Sequence, residues 1–213
     1  LSTVEAYDPR TDTWKQLSNM PTNRRSHGVV VLDGKIYALG GNGGGGVLGT
    51  ADVYDPQSDS WQPVADMGCG RWIFAAAAAG GKVYAIGGEK HDSTVMASVE
   101  AFDPLLVAWA EVASMSVGRC QHAAVVVDGK IYAIGGLDDD EEELDSIEVY
   151  DPQVNHWQTM ASMPQTRYRH AAAAMGGKIY VCGGLFGNDP GYKSNVVVFD
   201  PQANTWTELA SMG

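Results

Sequence analysis

The fifteen residues His122–Gly136, HAAVVVDGKIYAIGG, read as a complete β-hairpin. Small apolar residues run up to Asp128-Gly129, the alternating segment Lys130-Ile131-Tyr132-Ala133-Ile134 follows, and Gly135-Gly136 stops it. Asp-Gly suits a two-residue type I′ turn, because both central positions need positive φ. The same hairpin returns as HGVVVLDGKIYALGG from His27, FAAAAAGGKVYAIGG from Phe74 and HAAAAMGGKIYVCGG from His170. Its closing Gly pairs, at Gly40, Gly87, Gly135 and Gly183, recur every 47 or 48 residues.

The rest of the chain keeps the same period. Tyr/Phe-Asp-Pro occurs at Tyr7, Tyr54, Phe102, Tyr150 and Phe199, and each is followed by a Trp: Trp14, Trp61, Trp109, Trp157 and Trp206. Then come Met20, Met67, Met115, Met163 and Met212, and after the first four an Arg: Arg24, Arg71, Arg119 and Arg167. Each unit therefore reads as four short strands. Strand a is the small apolar run, strand b the Lys-Ile-Tyr-Ala-Ile segment, strand c the segment before Asp-Pro, and strand d the segment around Trp. Asp-Pro ends strand c, since Pro cannot donate to a ladder and favours a turn. Phe74–Ala79 would be helical by propensity alone, but its register with the other units makes it a strand. Small residues there suit strands that crowd towards a common axis.

The all-β pattern of four-stranded antiparallel units, repeating at roughly 50 residues, resembles the kelch β-propeller. Arg-x-x-His, DGKIYAIGG, VEVYDP, Trp and Met carry the resemblance along essentially the whole chain, which is most similar to the propeller of the Kelch-like proteins. Those proteins carry BTB and BACK domains ahead of the propeller; neither is in this sequence. The units fall at 1–23, 24–70, 71–118, 119–166 and 167–213, a leading c–d hairpin and four whole units, or about four and a half blades. Kelch rings usually close with six or seven blades, so the chain is expected to be part of a larger ring.

Composition narrows the function. A net charge of −12 and a pI near 4.6 argue against nucleic acid as partner. No apolar run is long enough to span a membrane, and no signal peptide opens the sequence. Cys69, Cys120 and Cys182 are odd in number and lack Cys-x-x-Cys spacing, which favours a reducing, cytoplasmic setting over a disulfide framework or zinc site.

Antiparallel order puts the a–b and c–d turns at one end and the b–c loops and d–a connections at the other. The a–b turns are uniform; the b–c loops 42–50, 89–97, 137–145 and 185–195 share almost nothing. The variable end is the candidate binding face, since loops on a rigid scaffold carry function. Five aromatics fall off the repeat, all at this end: Trp72, Phe74, Tyr168, Phe186 and Tyr192. Phe74 stands where other units have His and reads as packing.

In resembling proteins the two residues after the repeated Arg point to the mouth of the ring. Here these are Arg25-Ser26, Trp72-Ile73, Cys120-Gln121 and Tyr168-Arg169. With Lys90 and His91 on one loop, and Phe186 and Tyr192 on another, the expected partner-binding set is Arg25, Ser26, Trp72, Ile73, Lys90, His91, Gln121, Tyr168, Arg169, Phe186 and Tyr192. So few cations suit a mixed peptide with an aromatic or aliphatic anchor better than a strongly acidic one. The resemblance implies a protein-interaction module, a substrate receptor joined to a cullin ubiquitin ligase through domains absent here. An actin-associated cytoskeletal scaffold is the alternative, and a carbohydrate-active or copper-oxidase propeller a more remote one.

Other chemistry is weaker. Asp138–Glu143 reads as a solvated, mobile acidic loop, with attraction for a basic partner as the functional alternative. His27, His122 and His170 share one repeat position and read as hydrogen-bonded scaffold, not as a metal ring. Cys69 and Cys120 lie at the variable end, where Arg71 or Arg119 could activate a thiol; Cys182 reads as core. No cofactor, metal site or catalytic constellation is expected, and the protein is read as a non-enzyme.

Overall fold

The computed structural model describes residues 1–187, 191 and 193–213. A two-stranded hairpin comes first, β1 (Val4–Asp8) with β2 (Thr13–Leu17). The first four-stranded sheet holds β3 (Gly28–Leu32), β4 (Lys35–Leu39), β7 (Ala51–Asp55) and β8 (Ser60–Val64), with the short ladder β5 (Asn42–Gly43) and β6 (Gly46–Val47) in its b–c loop. The second holds β9 (Ala75–Ala79), β10 (Lys82–Ile86), β11 (Val99–Asp103) and β12 (Ala108–Val112). The third holds β13 (Ala123–Val127), β14 (Lys130–Ile134), β15 (Ile147–Asp151) and β16 (His156–Thr159). The fourth holds β17 (Ala171–Met175), β18 (Lys178–Cys182), β19 (Val196–Asp200) and β20 (Thr205–Leu209). Every ladder is antiparallel and joins strands adjacent in the sheet. Among the described residues no ladder joins the leading hairpin to the fourth sheet, so the array is unclosed.

The turn chemistry is as the hairpin sequence demands. Asp128 and Gly129 have φ of 50° and 74°, and the other three a–b turns repeat these signs. Each strand c ends on its Asp, whose Oδ1 accepts the main-chain N–H two residues on, as Asp151 does from Gln153 at 2.9 Å. The other oxygen meets the Lys that opens strand b: Lys35–Asp55, Lys82–Asp103, Lys130–Asp151 and Lys178–Asp200, at 3.0–3.3 Å. These pairs hold the uniform turns together at one end of every sheet.

The innermost strands β3, β9, β13 and β17 neighbour one another, which explains the alanine-rich runs. The core lies between the sheets, in three apolar layers, each shared by two neighbours. Strands b and c are buried on both faces in consequence: Ile131, Tyr132, Ala133 and Ile134 are all inside, where a lone hairpin would expose alternate residues. Aromatic pairs cross each layer, with centroids 5.7 Å apart for Tyr84–Tyr150 and 6.0 Å for Tyr37–Phe102. The repeated Trp latches its sheet to the preceding unit: Trp61, Trp109, Trp157 and Trp206 donate Nε1–H to the carbonyls of Ser18, Ala65, Ala113 and Ala161, at 2.7–2.9 Å.

The second sheet departs from this pattern at its c–d turn. Elsewhere an Asp or Asn at positive φ accepts the Tyr hydroxyl of strand c or a main-chain N–H of the preceding unit, as Asn155 does from Tyr150 and Ala113. Here Phe102 has no hydroxyl and Val107 no acceptor, yet Val107 keeps a φ of 52°. Leu105, Leu106 and Val107 form an exposed apolar tip.

Candidate functional site

The variable end opens on a cavity of about 720 Å³. Its wall brings together Ser26, Trp72, Ile73, Gln121 and Arg169 of the expected set, and adds His27, Phe74, Glu89, His122 and His170. The size falls within the range of small-ligand and peptide-anchor pockets. What positions the wall is main chain. Ile73 N–H donates to Ser26 O at 3.0 Å, Gln121 N–H to Ile73 O at 2.8 Å, and Arg169 N–H to Gln121 O at 2.9 Å. Ser26, Ile73, Gln121 and Arg169 all sit at φ between 45° and 54°. This conformation is costly for side chains other than Gly, and most of all for β-branched Ile73.

Each Gly pair makes room for this arrangement. A Cβ on Gly136 would lie 2.5 Å from Cys120 O and 2.8 Å from His122 Cβ, in the connection entering its own sheet, and one on Gly135 2.5 Å from Arg167 O in the next, so only glycine lets both approach.

Some polar groups of the lining residues are buried away from solvent. Trp72 Nε1 and both ring nitrogens of His122 are buried with no partner within hydrogen-bond distance, whereas the His170 ring lies against main chain of Ile134 and Arg167. Both histidines are packed as scaffold, with their rings wedged near Gly87 and Gly135, and the expected hydrogen bonding is missing at His122. Burial pushes the His170 pKa down to about 4, helped by Arg167, and drives His122 well below the ordinary value, with Arg119 and His170 adding to it. Both are neutral imidazoles, each with one donor and one acceptor to offer.

A stability prediction follows from the sign of these shifts. Between pH 6.5 and 4 the unfolded chain protonates His170 while the folded state does not, so the unfolded state binds more protons. The contribution is complete above pH 6.5 and is lost as pH falls through that window, by about 3 kcal/mol at most. Urea unfolding between pH 7 and 4.5 should show this slope, and His170→Gln should reduce it, His122 supplying part of what remains. A pH-independent midpoint would refute the assignment.

Arg169 links the cavity to an adjoining groove of about 430 Å³. Its guanidinium lies 5.8 Å from the Tyr168 ring centroid, and its Nε–H donates to Gln121 Oε1. Across the groove stand Glu89, Asp138, Asp139 and Glu141. The acidic loop is solvated as expected, with Asp139–Glu142 exposed, and is tied to its neighbours by side-chain contacts. Asp139 Oδ1 accepts Val95 N–H of the neighbouring unit at 2.7 Å, and Glu143 Oε2 accepts from Thr166 Oγ1 at 2.7 Å and Gly187 N at 2.9 Å.

The remaining expected residues lie apart. Arg25 is paired to Asn42 through main chain and borders a separate small hollow with Leu1 and Asn23. Lys90 and His91 face an outer pocket with Val47, Cys69 and Asp92. Phe186 packs under Lys193 Nζ, 4.9 Å from its centroid. Tyr192 lies outside the described residues. The thiols are not activated: burial raises Cys69 despite Arg71, and pushes Cys120 up to about 11. Among the described residues, no three His, Cys, Asp or Glu side chains gather as a metal site, and no helix is long and apolar enough to cross a membrane.

Four-stranded antiparallel sheets set side by side, with their innermost strands in contact and variable loops at one end, define a β-propeller repeat protein. The chain belongs to the kelch-repeat family: residues 73–213 match the KLHDC2/KLHL20/DRC7 Kelch-repeats domain, and residues 1–21 and 23–68 the Kelch motif. It is 48% identical over 48 residues to Kelch-like protein 7 of Rattus norvegicus, a match covering 22% of this chain. It is 55% identical over 38 residues to Kelch-like protein 15 of Danio rerio, covering 18%. These matches span only 8% and 6% of the relatives' own lengths. Among solved structures it is similar to YjhT, with a TM-score of 0.79 at 19% identity, over 92% of this chain and 68% of that one. That likeness concerns the fold.

Proposed function

We propose that this propeller is a non-enzymatic, cytoplasmic protein-interaction module that binds a peptide or surface loop across the cavity and groove of its variable end. The observation that carries the reading is the shared wall: Ser26, Trp72, Ile73, Gln121 and Arg169, from four successive connections, line one cavity. An aliphatic or aromatic side chain of the partner fills the cavity beside Trp72, Ile73 and Phe74. Arg169 fixes one acidic or carbonyl group, while Glu89, Asp138, Asp139 and Glu141 favour a basic residue further along. The ligand is therefore a mixed segment. The similarity to Kelch-like proteins supports a role in substrate recognition for a cullin ubiquitin ligase, within a longer polypeptide and a larger ring.

Site-specific photo-crosslinking tests the face. A crosslinker at Ser26 or Gln121 should capture the partner, and one at Leu105, on the opposite end, should not. Capture from Leu105 alone would place the interface elsewhere. Ile73 gives a second check. Ile73→Asn relieves the left-handed strain and should raise stability by about 1 kcal/mol while weakening partner binding. Unchanged binding would remove Ile73 from the interface.

A further inference from the structure

The second sheet departs from its neighbours at a group of positions that lie together, at the end opposite the cavity. In its c–d turn Leu105, Leu106 and Val107 stand where the first sheet has Gln57, Ser58 and Asp59 and the fourth Gln202, Ala203 and Asn204. On its strands, Ala101 takes the place of Val53, Val149 and Val198, and its cross-strand partner Ala110 that of Gln62, Gln158 and Thr207. Ala108, opposite Asp103, replaces Ser60, His156 and Thr205 in the same way.

The changes build a knob and a hollow side by side. Leu105 is 92% exposed, Leu106 74% and Val107 58%. Leu105 N–H donates to Asp103 Oδ1 at 2.9 Å, which fixes the turn that presents them. The alanines leave a hollow of about 360 Å³ between the second and third sheets, walled by Tyr84 and Tyr150, with Leu106 at its lip and Gln153 and Asn155 at its far rim. Val154, between those two, is 68% exposed. The sheet gives up stability for this surface. Ser18, Ala113 and Ala161 donate their N–H groups to Asp59, Asn155 and Asn204, but Val107 offers Ala65 N–H no such acceptor. Val107 also keeps a φ of 52°, which Asn and Asp tolerate and a β-branched residue does not.

We propose that this patch binds a second copy of the same chain, in a two-fold contact that seats the Leu105–Leu106 knob of each copy in the hollow of the other. A two-fold interface needs one patch to be complementary to itself, and here projection and hollow share one patch. Its apolar surface is on the order of 500 Å² per copy, so the pair buries about 1,000 Å², the threshold of a specific interface. Charge favours the same occupant. The bordering Lys82 and Lys130 are paired with Asp103 and Asp151, at 3.2 and 3.0 Å, which keeps the patch close to neutral on a chain of net charge −12. Contact through this end also directs both acidic loops, Asp138–Glu143, outwards. Five-residue strands separate the ends of a sheet by about 17 Å, so the loops stand ~30 Å or more apart, beyond the ~8 Å screening length. Both variable faces stay open to partners.

Sedimentation velocity over a concentration series tests this, with the triple variant Leu105→Gln, Leu106→Ser, Val107→Asn for the knob and Ala110→Gln for the hollow. Each substitution copies a residue of a neighbouring sheet, so both proteins should fold. The knob variant should unfold at a higher midpoint, because Asn restores an acceptor for Ala65 N–H. Either variant should weaken self-association at least tenfold. An equimolar mixture should recover part of it, since one intact knob then meets one intact hollow. A photo-crosslinker at Leu105, in a mixture of isotopically light and heavy chains, should join light to heavy at the hollow. A wild-type chain that stays monomeric throughout the series, association unchanged in both variants, or a mixture without recovery would each overturn the proposal. So would a Leu105 crosslink that lands on the open flanks of the array or on a different protein.

Discussion

Glu148→Ala is expected to lower the unfolding free energy by about 3–5 kcal/mol, a large share of what a domain possesses. The carboxylate is 1% exposed and makes two bonds, to Arg119 Nη2 at 2.8 Å and Ser116 N–H at 2.7 Å. Ala strips both, leaving a guanidinium with 0% exposure held on that nitrogen only by Ser146 Oγ, at 3.2 Å. The loss measures the penalty of an unmatched buried charge more than the attraction of the pair. Glu148→Gln keeps one acceptor and should cost less. Arg119→Ala should cost a comparable amount, because it strands the carboxylate instead. Glu5, at the same repeat position but on the exposed leading hairpin, is the control: Glu5→Ala should stay within about 0.5 kcal/mol. Urea midpoints of the four variants decide the matter. Equal small losses throughout would mean that the Arg–carboxylate pairs do not anchor the sheets.

Trp72→Ala should weaken partner binding by roughly 30-fold or more, the scale of an interface anchor worth about 2 kcal/mol. The fold makes little use of this indole. Its nitrogen bonds nothing, whereas the latch tryptophans each hold a carbonyl of the preceding unit. Affinity should therefore fall with little change in the unfolding midpoint. Arg169→Glu should have an effect of similar size for another reason, since it sets a like charge beside Glu89, Asp138 and Asp139. Titration of each variant against the crosslinked partner gives the numbers. Wild-type affinity in both would dismiss the cavity as the binding site.

The features visible in the sequence were those with local requirements. Asp-Gly turns, Gly pairs and Asp-Pro stops each depend on one or two residues, and four or five copies made them unmistakable. The Arg–carboxylate pairs span 28 or 29 residues, so they needed the register of strands b and c before Asp52, Glu100 and Glu148 could be matched to their arginines. The mouth was legible at Ser26, Trp72, Ile73, Gln121 and Arg169 because it follows the repeated Arg at fixed spacing. Lys90 and His91 follow no such rule: where a loop tip points depends on the neighbouring unit, and these two face an outer pocket. Glu89 was passed over because it begins a variable loop, although its main-chain pairing with Trp72 fixes it at the rim. Leu105–Val107 lies at the end of the sheets whose turns are otherwise uniform, so nothing in the repeat marks it.

The main-chain hoop through Ser26, Ile73, Gln121 and Arg169 has a consequence for how such a molecule changes over time. Its donors and acceptors are peptide groups, so the frame demands only a left-handed backbone at each station and no particular side chain. A hydroxyl, a branched alkyl, an amide and a guanidinium already occupy four equivalent stations of one molecule. The rim behaves like a row of type set in a fixed forme: the letters can be exchanged one at a time without recasting the scaffold that holds them.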